Sequence, residues 1–163
     1  MSSVKVPTSQ YESLLAVLWS ALGPDRKPLL IGIDGREGAG KTSLSNWLAW
    51  QLGMPVIHLD LFLKSSEAPG PIARRIAELD RCIKARGDRP LIVEGAFLLD
   101  ALNEVGRSPD FLIFVEVDCA PSAPGSADSD VVDPREFSLA NQVLAYLARC
   151  TPLNRANFKL KVH

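Results

Sequence analysis

LLIGIDGREGAGKTSLSNWLAWQL, Leu29 to Leu52, decides the fold. Its opening, LLIGID (Leu29 to Asp34), is a short apolar run of the kind that forms a buried parallel strand. Its close, SLSNWLAWQL (Ser43 to Leu52), reads as an amphipathic helix. Between them GREGAGKT (Gly35 to Thr42) fits the pattern G-x-x-x-x-G-K-[ST] at every fixed position. Strand, glycine loop and helix in that order give the pattern a physical meaning. Gly35, Gly38 and Gly40 allow positive φ and a close approach of backbone to a ligand. Successive N–H groups along the loop, those of Ala39 and Ser43 included, then turn inward as an anion cradle. The helix starting near Lys41 adds its positive end. The Lys41 ammonium reaches β- and γ-phosphates in such a loop, and the Thr42 hydroxyl reaches Mg²⁺. The stretch therefore points to nucleotide phosphate binding.

The rest of the chain fits around this unit. With 163 residues, 47% apolar and 23% charged, it has enough material for one globular domain. A net charge of −1 argues against nonspecific nucleic-acid binding. No run approaches the length of a membrane span, and the N-terminus lacks a basic stretch followed by an apolar one. Three cysteines, widely spaced and odd in number, suit a reducing cytoplasm better than a disulfide framework. Two histidines make a metal site built on imidazoles a poor expectation.

Residues 1–8 read as a frayed start. Ser9 with Glu12 forms a capping-box pattern, and Tyr11, Leu14, Leu15, Leu18 and Leu22 recur at helical spacing up to Gly23-Pro24. PVIHLD (Pro55 to Asp60) reads as a second strand. Pro71 suits a first helical position, and Ile72, Ile76, Leu79 and Ile83 mark the buried face of the helix it would open. LIVEG (Leu91 to Gly95) and DFLIFVEV (Asp110 to Val117) read as strands, with AFLLDALNEV (Ala96 to Val105) helical between them. Residues 118–134, DCAPSAPGSADSDVVDP, are small residues, prolines and aspartates, and are expected to form a mobile loop. EFSLANQVLAYLARC (Glu136 to Cys150) returns to helix, and FKLKV (Phe158 to Val162) alternates like an edge strand. Strands separated by helices predict an α/β fold: a three-layer sandwich on a mostly parallel sheet of about five strands.

Ligands bind such sheets at the carboxyl ends of the strands. Asp60 and Glu94 fall there, beside the glycine loop. Asp60 is a candidate to deprotonate an acceptor or to contact Mg²⁺ through water; forming a turn is its structural alternative. Glu94 interrupts an apolar strand, and a buried carboxylate needs a partner. Mg²⁺ is one such partner; an arginine or a helix cap is another. Alternation puts His58 on the face of Asp60, where a packed histidine with a satisfied ring is expected. Arg74 and Arg75 read as a solvated helix face, or as residues reaching a bound phosphate or acceptor.

IGIDGREGAGKTSLSNWLAWQL, PVIHLDLFLK, LIVEGAFLLD and EFSLANQVLAYLARCTPLNRANFKL together resemble the uridine kinase-like branch of the P-loop kinases. The resemblance implies a mononucleotide-kinase fold with Mg²⁺·ATP as phosphoryl donor. It implies that Asp60 activates the acceptor hydroxyl and helps hold magnesium, that Glu94 lies in the metal shell, and that Lys41 and Thr42 hold phosphate and metal. Leu63 stands where the family has a tyrosine. The family's lid carries several arginines, whereas residues 118–134 contain none; Arg135 directly follows and is the candidate lid residue.

The expectation is a cytoplasmic small-molecule kinase with a nucleoside-like or other small alcohol as acceptor. A nucleotide-binding module with little transferase activity, or an ATPase completed by a partner's arginine, remains the alternative. Homo-oligomerisation stays open.

Overall fold

The computed structural model describes residues 8–65, 70–117 and 139–162. Helix α1 (Thr8–Leu22) leads into β1 (Leu30–Gly35), the glycine loop and α2 (Lys41–Leu52). Strand β2 (Val56–His58) runs straight into a 3₁₀ turn (Leu59–Phe62). Then follow α3 (Ile76–Arg86), β3 (Leu91–Glu94), α4 (Leu98–Glu104), β4 (Phe111–Val117), α5 (Leu139–Cys150), the single turn α6 (Pro152–Arg155) and β5 (Phe158–Val162). The five strands lie in the order β2-β3-β1-β4-β5, and every pairing is parallel. The alternating strand FKLKV is an edge, as its pattern predicts.

The side-chain period of a strand builds two cores from one sheet. Ile31, Ile33, Ile92, Ile113 and Val115 point to one face and pack with Leu14 and Leu18 of α1 and Leu44 and Leu48 of α2. Leu30, Leu91, Val93 and Leu112 point to the other, against Leu79 of α3, Leu98 of α4 and Tyr146 of α5. Three layers result, with the glycine loop, the 3₁₀ turn and Glu94 at the carboxyl end of the sheet.

Ser9 is not the cap of α1, because that helix already includes Thr8. Two expectations fail nearer the site. The helix predicted from Pro71 begins only at Ile76. Residues 71–75 are instead pulled into an antiparallel pairing with the segment after β2: Lys64 N–H donates to the Ala73 carbonyl at 2.9 Å and Arg75 N–H to the Phe62 carbonyl at 2.7 Å. Those bonds outweigh a first-turn proline preference. Strand β2 also stops at His58 rather than Asp60, because Leu59 turns inward and is buried. Gly95 makes room for that turn. Its φ is +154°, and a Cβ there would sit 2.7 Å from the Leu59 Cβ, closer than carbon atoms pack. The loop expected over 118–134 lies outside the described residues.

Candidate active site

The loop has the backbone its glycines suggest. Gly35, Gly38 and Gly40 carry φ of +148°, +75° and +88°, and α2 begins at Lys41 with Gly40 as its cap. Lys41 is buried, with Nζ donating to the Arg36 carbonyl at 2.7 Å across the loop. Desolvation lowers its pKa, while Glu94 and Asp34 pull the other way. The loop therefore stores a cation close to where phosphate charge would enter.

Glu94 ends β3, in register with Ile33 of β1 and His58 of β2. It is 2% exposed. Its Oε1 accepts from the Thr42 hydroxyl at 3.1 Å and lies 2.6 Å from His58 Nδ1. An ionised carboxylate only accepts, so Nδ1 carries that proton. His58 thus has Nδ1 partnered by Glu94, as a packed histidine would. The 3₁₀ turn sends Asp60 away from the sheet into an exposed position, where its carboxylate takes no hydrogen bond from any described residue. Lys41, Thr42, Asp60 and Glu94 nevertheless line one cavity of about 430 Å³, together with Gly38, Gly40 and Ser43. Gly35 and Ala39 do not line it, and the Ala39 methyl packs into the core. Arg135 lies outside the described residues.

No family model matches the chain, and no curated protein does. Solved structures do. One described as a possible uridine kinase from Bacillus stearothermophilus matches with a TM-score of 0.65 at 17% identity, over 94% of this chain and 98% of that one. A gluconokinase from Sinorhizobium meliloti 1021 is a looser likeness, with a TM-score of 0.43 at 18% identity over 80% and 97%. The fold is that of a P-loop kinase. No helix among the described residues is long and apolar enough to cross a membrane. Cys82 and Cys150 are free thiols.

Within this P-loop kinase fold three side chains stand out that the sequence reading passed over or misplaced. Asp34, the last residue before the loop's first glycine, is 1% exposed. One oxygen accepts from Gly35 N–H at 2.8 Å and the other from the Tyr146 hydroxyl. That hydroxyl also accepts from Leu99 N–H at 3.1 Å, tying α5 and the start of α4 to the root of the loop. Asp34 interrupts an apolar strand just as Glu94 does, and that was the available signal. Arg74 is the third. Placed by its sequence on a helix, as part of a solvated face or as a residue reaching a bound phosphate or acceptor, it lies outside any helix, is 7% exposed and lines the same cavity, because residues 71–75 are extended and turn it inward. Arg75 does stay exposed, donating to the Leu61 carbonyl at 2.5 Å.

Burial pushes the Asp34 carboxyl up to about 6 from 3.8, against the opposing pull of Tyr146, Gly35 and Lys41. A native pKa above the unfolded one means that the folded chain binds the extra proton between those values. Stability therefore falls as pH rises through that window, by at most about 3 kcal/mol for two pKa units. Urea melts between pH 4.5 and 7.5 are expected to show this loss in the wild type and not in Asp34→Asn. Parallel pH profiles would assign the dependence to other groups.

Proposed function

We propose that the chain is an ATP-dependent small-molecule kinase, transferring the γ-phosphoryl group to a hydroxyl of a small acceptor. The observation that carries this reading is the convergence of Lys41, Thr42, Asp60 and Glu94 on one cavity at the mouth of the glycine loop. Loop N–H groups would hold the phosphates. Lys41 would exchange the Arg36 carbonyl for the β- and γ-phosphate oxygens. A second cavity of about 500 Å³ begins at Arg36 of the loop and is walled by Val117, Leu153 and Asn154; it offers space for the base.

The donors also suit magnesium. Thr42 and Glu94 offer hard oxygen atoms, with Asp60 within reach through water; among the described residues no group of three or more His, Cys, Asp or Glu side chains is placed to hold a metal ion by itself, so the cation would arrive with the nucleotide. Mg²⁺ binds through few protein ligands and keeps waters and phosphates as the others. When bound it supplies charge neutralisation to the phosphates. Asp60 would take the proton of the acceptor hydroxyl. That oxygen attacks the γ-phosphorus, the bond to the bridging oxygen breaks, and ADP leaves.

The arginine-free stretch 118–134 favours one competing reading, a nucleotide-binding protein that does not transfer. ADP release from Mg²⁺·ATP, with and without pooled alcohols, separates the two. Stimulation by a pool is the expected result. Tight ATP binding with no stimulation by any pool would support the binding module instead.

A further inference from the structure

Arg74 has no part in the phosphate and metal roles just assigned, yet it is a charged side chain only 7% exposed in the same cavity. A buried guanidinium needs hydrogen bonds on its donors and a counter-ion. Here Nη2 donates to the Ala96 carbonyl at 2.9 Å. Nε is buried and has no partner among the described residues. No described carboxylate comes within ion-pair distance; Glu104, Asp100 and Asp34 act on it only through longer-range attraction. The guanidinium carbon stands 5.9 Å from the centroid of the Phe97 ring.

The surroundings fix it in that position. Phe97 has φ +57°, an uncommon backbone conformation for a bulky residue, and it also packs edge-on against Tyr146 at 5.2 Å. The pairing of residues 62–64 with 73–75 holds the Arg74 backbone from the other side. Arg74 shares its cavity with Asp60, and Leu63, Ile72, Leu139 and Val143 contribute apolar wall to the same cavity. A preorganised cation without an ion-pair partner, in the cavity that also holds the expected proton acceptor, is an arrangement for binding an anion attached to the molecule being phosphorylated.

We infer that Arg74 anchors a negatively charged group of the acceptor, so that the acceptor is an alcohol carrying a carboxylate or a phosphate. The inference rests on the kinase reading for the word acceptor; the anion site itself does not depend on turnover. The planar fork of arginine fits either anion, and the two are told apart by experiment. A neutral nucleoside would leave this guanidinium without a counter-ion.

Binding is measured first, by equilibrium dialysis with Mg²⁺·ADP saturating so that the loop is filled. The probes are pooled hydroxycarboxylic acids, pooled phosphorylated sugars and alcohols, and pooled neutral alcohols and nucleosides. The expected result is saturable binding from one acidic pool, which identifies carboxylate or phosphate, and none from the neutral pool. Arg74→Met should weaken that binding by about 100-fold or more. Arg74→Lys, which keeps the charge without the fork, should recover part of it. Mg²⁺·ADP affinity within threefold of wild type in both variants shows that they are folded. ADP release from ATP with the same pools should then show KM raised far more than kcat lowered in Arg74→Met. Turnover with the neutral pool alone would overturn the anion site and leave the kinase reading standing. Acid binding that depends on Arg74 without turnover would do the reverse. Absence of acid binding in the wild type, or binding unchanged in Arg74→Met, would overturn the inference whatever the turnover.

Discussion

Lys41→Met is expected to weaken Mg²⁺·ATP binding by about 10²- to 10³-fold while leaving the melting temperature unchanged or raised. The two halves of this expectation have one cause. In the free protein the Lys41 ammonium is buried and holds a single backbone carbonyl, that of Arg36. Burial works against its charge, which is why its pKa is lowered despite Glu94 and Asp34 nearby. Replacing the ammonium with a thioether of similar length removes that desolvation cost and keeps the packing of the stem. The Arg36 carbonyl loses one donor. With ATP bound, the same low-dielectric position strengthens attraction to phosphate. Truncating one partner of such a pair costs about 2–5 kcal/mol. Titration of a fluorescent ATP analogue, paired with a thermal melt, checks both halves. An affinity within threefold of wild type would remove Lys41 from the phosphate site. A collapsed melting temperature would make it a structural residue instead.

What could be read from the sequence follows the range of the interactions. The unit β1, glycine loop and α2 is local, and its apolar spacing and its glycines both lie within one short stretch. Asp60 and Glu94 were legible as carboxylates at strand ends because topology alone brings those ends together. The failures around the cavity are cases where a distant segment decides. Burial of Leu59 beneath Gly95 stops β2 early, so strand alternation no longer applies to His58 and Asp60. Backbone bonds from Phe62 and Lys64 override the helical preference of Pro71 and turn Arg74 into the cavity. The partner of Asp34 is Tyr146, which lies on α5 and packs from the opposite end of the chain. The same blindness explains why the rest of the cavity was harder to read than the glycine loop. The loop is one stretch of chain, whereas the rest is assembled from the 3₁₀ turn, residues 71–75, the start of α4 and α5.

Asp60→Asn is expected to reduce phosphoryl transfer by about 10²- to 10⁴-fold, the usual worth of a positioned proton acceptor, while ATP affinity stays within about threefold. The prediction is unusually clean because of where the structure puts this residue. Asp60 is exposed in a 3₁₀ turn, and its side chain takes no hydrogen bond from a described residue. The turn itself is held by the backbone, with Leu63 N–H donating to the Asp60 carbonyl and Leu59 buried below. Asparagine keeps the shape of the side chain and also suits turns, so stability gives no confounding signal. Glu94 offers no such separation, since its Oε1 is shared by Thr42 and His58 and any replacement disturbs both. Single-turnover transfer to an acceptor that stimulates ADP release, set beside ATP titration, decides the role of Asp60. Transfer at the wild-type rate would leave it a turn former. A parallel loss of transfer and of Mg²⁺·ATP affinity would move it from the proton to the metal, since a carboxylate bound to the nucleotide's cation affects binding and chemistry alike.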